Sequence, residues 1–395
     1  MTMNVYLNEC AIVCPLGDSH AQIRQRLFRG ESGIAATEAY SPGRLLPLGR
    51  VLASLPDDGD LPLTQRSRNN RLALAALAQI RPALDAATAR FGPARVAVVL
   101  GTSTSGIAET ECALRAHAAG QALPPDFHYA QQEMASPAAM LAQVLGVSGP
   151  AYTHSSACAS AAKAMASAAR LLRAGLCDAV LTGGVDTLCG FTVAGFGALE
   201  SVSAERCNPL SANRKGINIG EGAALFLMTR EPATVALCGW GESSDGHHMS
   251  APDPSGGGAR LAIEAALARA GIVPAQIDYV NLHGTATIQN DAMESRVVHA
   301  LFGDTVAVSS TKAATGHALG AAAALEAAFC WLAMQDEHPA GLLPPQLWDG
   351  VADPALPALN VAAPGATLAR RLDWALSNSF AFGGANAALV FGRTR

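Results

Sequence analysis

The sequence predicts an α/β protein in which one supersecondary unit has been used twice, and three observations carry that reading. Short apolar runs alternate with alanine-rich stretches of helical length: VAVVLGTSTSG (Val96 to Gly106), DAVLTGGVD (Asp178 to Asp186) and IDYVNLHGTAT (Ile277 to Thr287) each read as a buried strand entering a loop of small residues. Landmarks then recur in order. The helix opening at Cys158 (CASAAKAMASAARLL) has a counterpart opening at His317 (HALGAAAALEAAFCWL), GEGAALFL from Gly220 matches GANAALVF from Gly384, and VLGTSTSG matches NLHGTATI. Finally, 50% of the 395 residues are hydrophobic and only 15% charged, enough for a large buried core. The expected division is residues 1–235, carrying the cysteine and a cap or dimer insertion around Gly120 to Gly149, and 236–395, carrying the two histidines.

Charge and cysteine content exclude several classes. A net charge of -5, with arginines scattered except in TQRSRNNR (Thr64 to Arg71), gives no basic field for nucleic acid. The opening MTMNVYLNECAIVC lacks the basic run and long apolar segment of a secretory signal, so a cytoplasmic location is expected. The window Ala313 to Met334 has spanning length but carries His317, Glu326 and several glycines, and reads as a buried helix rather than a membrane insertion. Nine cysteines without a CxxC or a Cys/His zinc spacing read as reduced thiols. Asp245, His247 and His248 in SSDGHHM lack a completing ligand set, so no metal is expected.

Cys158 stands where the chemistry needs a thiol. At the mouth of a helix it meets free N–H groups and partial positive charge, which favour the thiolate, and Ala157, Ala159, Ser160 and Ala161 leave room for a substrate. By the repeat, His317 is its symmetry counterpart, and His283 follows a matching apolar strand. If two helix starts face each other across a pseudo-twofold, one thiol and two imidazoles arrive in one pocket. SNSFAFGGANAAL, Ser377 to Leu389, supplies a glycine-rich loop whose amides suit an oxyanion hole.

These blocks carry a family resemblance. SSACASAAK, NLHGTAT with its following Asn290 and Asp291, SSTKAATGHALGAA with Glu326, and SNSFAFGGAN resemble, in order and spacing, the elongating beta-ketoacyl-acyl carrier protein synthases. The likeness extends to GEGAAL after Lys215 and to SSDGHHMSAPDP, and spans nearly the whole chain. It implies a thiolase-like fold of duplicated halves in a five-layered α/β/α/β/α arrangement. It implies decarboxylative Claisen condensation of a malonyl carrier thioester with an acyl chain held on Cys158. His283 and His317 would hold the malonyl carbonyl, and Lys312 would tune His317. The amides of Cys158 and Phe382, with Gly383 beside them, would form the oxyanion hole and gate, and Phe380 would line the site. Thr285 and Thr287 would bind the pantetheine arm, and Glu326 would anchor the second-half helix. No cofactor is implied beyond the phosphopantetheine of acyl carrier protein, the expected partner. Docking falls to Arg66, Arg68, Arg71 and Arg206.

The resemblance also separates neighbours. No second cysteine occupies the GGAN loop, unlike thiolases; His317 stands where initiating synthases have asparagine; and Cys158 is retained, unlike in chain-length factors. Two other readings stay open: a non-condensing chain-length-factor-like partner, and a cysteine hydrolase of thioesters. The N-terminal strand departs from the family pattern, and Thr104 stands near a position that walls the acyl pocket. A small residue there favours a specialised polyene or aryl-polyene enzyme, as homodimer or as heterodimer with a ketosynthase-like chain-length factor.

Overall fold

The computed structural model describes residues 5–394, so Met1 to Asn4 of the opening segment lie outside the described residues. Thirteen strands among the described residues run in chain order: β1 (Val5–Val13), β2 (Ile34–Thr37), β3 (Leu46–Gly49), β4 (Val96–Gly101), β5 (Ala151–His154), β6 (Ala179–Asp186), β7 (Gly222–Thr229), β8 (Val235–Ser244), β9 (Tyr279–Asn281), β10 (Ala307–Ser309), β11 (Asn360–Val361), β12 (Trp374–Phe380) and β13 (Ala385–Arg393). β2 and β3 form a separate antiparallel pair. The other eleven make one continuous sheet in the order β11-β10-β9-β12-β13-β8-β1-β7-β6-β4-β5.

That order contains the predicted duplication. β5-β4-β6-β7-β1 and β10-β9-β12-β13-β8 follow the same sequence of directions, parallel, parallel, antiparallel, antiparallel. The halves join where β1 meets β8 through Val5 opposite Leu237 and Tyr6 opposite Ala236. β4, β6 and β7 are buried at every position because helices cover both faces, which is why they read as unbroken apolar runs.

Five layers result. Helices Arg68–Phe91 and Ser136–Leu145 cover the outer face of the first half-sheet, and Gly257–Ala270 and Ile288–Phe302 cover that of the second. Between the half-sheets lie Ser160–Arg173 and Ala322–Ala333, packed on each other and on strands from both halves. A helix enclosed by two sheets has no face to give to water, and in Ala322–Ala333 every residue except Trp331 is buried. Alanine keeps helix propensity while letting both sheets approach.

The tightest approach sets where the cysteine falls. Gly101 ends β4 beneath the first turn of Ser160–Arg173, and a Cβ there would lie 2.3 Å from Ala161 N. Gly101→Val is expected to cost about 1–3 kcal/mol through overpacking. The check is the midpoint of thermal or urea unfolding; an unchanged midpoint would show that the helix can retreat from the strand.

Candidate active site

Cys158 sits on an elbow between β5 and the helix Ser160–Arg173. Ala157 takes φ 47°, a left-handed conformation that non-glycine residues rarely adopt. Ser160 Oγ accepts from Ser156 N at 2.8 Å and donates to Ala157 O at 2.6 Å, closing the turn. The second half offers a matching turn after β10, where the short helix Lys312–Thr315 leads to His317. His317 N donates to Asn218 O at 2.7 Å, and Gly220 N donates to His317 O at 2.9 Å.

Two buried carboxylates hold the remaining loops. Asp186, at the end of β6, accepts from Thr102 Oγ1 (2.5 Å), Ser103 N (2.9 Å), Ser103 Oγ (2.6 Å), Thr104 N (2.9 Å) and Thr104 Oγ1 (2.8 Å), and from Gly320 N (2.6 Å) just beyond His317. Glu294, in the helix Ile288–Phe302, accepts from His283 N (2.8 Å), Gly284 N (2.7 Å) and Asn378 Nδ2 (3.2 Å). β4 and β9 are equivalent strands ending at Gly101 and Asn281, so Ser103–Thr104 and His283–Gly284 are equivalent amide pairs, each satisfied by a carboxylate.

The three predicted reactive side chains meet. His317 Nε2 lies 2.9 Å from Cys158 Sγ, and one ligating atom from each of Cys158, His283 and His317 falls within 4.8 Å of the others. The two imidazoles stand nearly perpendicular, with ring centres 5.3 Å apart, and Phe380 lies 6.2 Å from His283. All three reactive residues are buried at the floor of a cavity lined also by Phe196, Thr285, Thr287, Phe380 and Phe382. Thr285 and Thr287 join their hydroxyls at 2.9 Å, and the Phe382 ring lies 5.5 Å from that of Phe196. Gly383 adopts φ 81°, but its amide donates to Met249 O at 2.8 Å.

Electrostatics make this a pocket of neutral reactive groups. Burial, followed by the nearby Lys312 ammonium, holds both His283 and His317 well below the usual histidine range. Lys312 forms a buried ion pair with Glu326, whose carboxyl burial pushes up to about 7 against the pull of that ammonium. The Cys158 thiol departs from expectation. Burial pushes it up to about 12, outweighing Lys312 and the Phe382 backbone N–H, which both favour the thiolate. A helix mouth helps the anion only as far as desolvation allows.

Other predicted residues fall elsewhere. Thr104 is absent from the cavity lining, its hydroxyl and amide turned to Asp186. Arg68 is half-buried and bound to the fully buried Glu221 at 2.5 Å. Arg66 donates to Leu61 O and Gly59 O, and Arg71 to Pro56 O and Leu55 O; Arg206 is exposed. Asp245 lines the cavity mouth and accepts from Asn386 Nδ2 at 2.7 Å, while His247 and His248 are exposed. Sequence reading missed Asp186, Glu294 and Glu221; the last stood in view within GEGAAL.

A duplicated five-layer α/β fold with a cysteine and two histidines at facing turns defines a thiolase-like acyltransferase. Residues 10–233 match the family model for the beta-ketoacyl synthase N-terminal domain and residues 234–347 that for its C-terminal domain. The chain belongs to the beta-ketoacyl synthase family, and its reaction class is condensing acyl transfer. It is 32% identical to nodulation protein E of Rhizobium sp. (strain N33) over 413 residues, 99% of each chain. It is 36% identical over 264 residues to 3-oxoacyl-[acyl-carrier-protein] synthase 2 of Rhizobium meliloti (strain 1021), covering 62% of this chain and 61% of that one. A chain of the ketosynthase ApeO in complex with its chain length factor ApeC, from Xenorhabdus doucetiae, superposes with a TM-score of 0.94 at 44% identity, over 99% of this chain and 98% of that one. Among the described residues no helix is long and apolar enough to cross a membrane.

A thiol at about 12 is almost wholly protonated near neutrality. Its alkylation rate with iodoacetamide, followed on Cys158 by peptide mass spectrometry, is expected to rise about tenfold per pH unit from pH 6 to 9 without levelling. A plateau near pH 7 would show that the loop amides hold a resting thiolate.

Proposed function

We propose that this chain is a beta-ketoacyl-acyl carrier protein synthase in which Cys158 carries the growing acyl chain. The observation that carries the reading is the 2.9 Å contact of Cys158 Sγ with His317 Nε2, with His283 beside it, in a cavity that Thr285 and Thr287 also line. Cys158 Sγ attacks the acyl thioester, and the departing carrier thiol takes up the proton that the cysteine gives up. His283 and His317 then hold the malonyl thioester oxygen as neutral donors while CO2 leaves; the resulting enolate carbon attacks the acyl-enzyme carbonyl, the C–S bond to Cys158 breaks, and the released thiolate takes a proton from solvent. The amides of Cys158 and Phe382 receive the oxyanion, a donor pair worth a few kcal/mol per amide. Lys312 keeps the imidazoles neutral, and Glu326 balances its charge. The division 1–235 and 236–395 assigns the thiol to one half and both imidazoles to the other. The chemistry is complete without a metal or a further cofactor.

Acyl carrier protein supplies both substrates in this reading, as the name of the synthase relatives indicates. Arg206 is exposed and suits an acidic carrier better than the ion-paired Arg68 does, whereas Lys215 beside it is shared with Glu205 at 3.7 Å. A ketosynthase-like chain-length factor as the second subunit is favoured by the likeness to ApeO–ApeC and, at 25% identity, to the ishigamide ketosynthase/chain length factor. Leu114, Leu123, Tyr129, Met134, Phe191 and Leu199 are exposed around the predicted insertion and would cover that contact. A specialised polyene pathway in the cytoplasm is the corresponding place for the enzyme.

Incubation with acyl-carrier proteins and then malonyl-carrier protein, read by intact mass, is expected to give a Cys158 adduct that is consumed to a product two carbons longer, with CO2 released. Cys158→Ala abolishes the adduct. Free acid without CO2 would instead establish hydrolysis, and no adduct with or without a chain-length factor would sink the reading. Lys312→Met tests the histidines: with the ammonium gone, their pKa values rise towards the ordinary range, so protonation begins at higher pH. The acid limb of the condensation rate is expected to move upward by about one pH unit; an unmoved limb would remove Lys312 from that role.

A further inference from the structure

We propose that Cys158, His283 and His317 together form a three-ligand site for a borderline-soft divalent cation, Zn2+ above all, which blocks the nucleophile reversibly. The thiol sulfur and one nitrogen from each imidazole lie within 4.8 Å of one another, and His317 Nε2 is 2.9 Å from the sulfur. A point equidistant from three atoms so placed is no more than about 2.6 Å from each, against the 2.0 to 2.3 Å of zinc bonds to nitrogen and sulfur. Shifts of a few tenths of an ångström in side chains would therefore complete the ligand triangle. All three side chains line the cavity, which leaves room for a water as fourth ligand, as in an open zinc site.

The chemistry of the donors selects the ion. A thiolate and two imidazoles suit zinc or cadmium, whereas magnesium and calcium require oxygen ligands that this triangle does not provide. Both imidazoles are already neutral, so their lone pairs are available without loss of a proton. Binding displaces one proton, the thiol's, to solvent, and forms one Zn–S and two Zn–N bonds with no redox change. Lys312 opposes a cation here as it opposes a protonated imidazole, and the Glu326 carboxyl paired with it offsets that repulsion only in part. The geometry of the three side chains carries the site; that metal stops turnover rests in addition on the condensing function, because the metal occupies the sulfur that accepts the acyl group.

The test measures alkylation of Cys158 by iodoacetamide, resolved from the other cysteines by peptide mass spectrometry, in buffers holding free Zn2+ from nanomolar to tens of micromolar. Protection of Cys158 by at least tenfold is expected at micromolar Zn2+, reversed by EDTA and absent with Mg2+. His283→Ala and His317→Ala should each weaken protection by tenfold or more while Cys158 still reacts in the absence of metal, with circular dichroism checking that each variant folds. Alkylation of Cys158 unaffected by Zn2+, or protection in both histidine variants as strong as in the unsubstituted protein, would overturn the site. Since alkylation needs no carrier protein, this outcome is independent of whether condensation is observed.

Discussion

A contact of 2.9 Å joins Cys158 Sγ to His317 Nε2 across the two halves of the chain, and the five layers exist to bring those two turns together. Each turn leaves the end of a parallel strand, β5 or β10, and leads towards a helix buried between the half-sheets. A turn held only by its own loop would wander by more than the tolerance of a hydrogen bond. Here the thiol turn is fixed beneath by Gly101 and the imidazole turn is clamped by Asn218 and Gly220 on one side and Asp186 on the other. Asp186 belongs to the first half and Gly320 to the second, so one carboxylate ties the halves at the point where their reactive groups meet. The alanine content of the central helices follows from the same demand, since larger side chains would push the sheets and the turns apart.

Satisfying backbone amides with carboxylates has an electrostatic consequence. The loops after β4 and β9 cannot pair their amides in a ladder, because the chain must leave the sheet to present side chains to the cavity. Asp186 and Glu294 accept those amides instead, each from full burial. Burial pushes the Glu294 carboxyl up to about 7 despite those amides. The same burial disfavours charge on the imidazoles, and Lys312 adds a cation that acts on both rings, so the histidines stay neutral. Lys312 in turn is held by Glu326 from the central helix, and the buried pair is a structural commitment: breaking such a pair from one side costs about 3–5 kcal/mol.

The duplication and the reactive triad were legible because elbows and close approaches leave a signature of small residues around an isolated functional side chain. Cys158 among alanines and His317 before Ala318 and Gly320 are such signatures, and the strand order repeats as their spacing indicates. The supporting carboxylates were not legible. Glu294 sits in the second turn of a helix, where an acidic residue reads as an ordinary polar position, and nothing local reveals that it faces inward to His283 N. Arg68 stands in a run of arginines that reads as surface, and its partner Glu221 is 153 residues away. Thr104 reads as a wall residue because the family resemblance puts it near one; its bond to Asp186 depends on a strand from another part of the chain.

The same gap between local and global information explains the thiol. A helix start is visible in sequence and favours an anion by a modest amount, typically less than about 1 kcal/mol at an exposed end. The depth of the layer that encloses it is a property of the whole fold, and here it dominates, leaving sulfur and both imidazoles uncharged at rest. A site of that kind admits an uncharged thioester without first stripping water from an ion. Its fixed donors then act where charge develops, on the oxyanion and the enolate, which are stabilised more than the bound substrates are. Neutrality at rest and preorganised polarity are thus two results of one constraint: the reactive turns lie between sheets that exclude water.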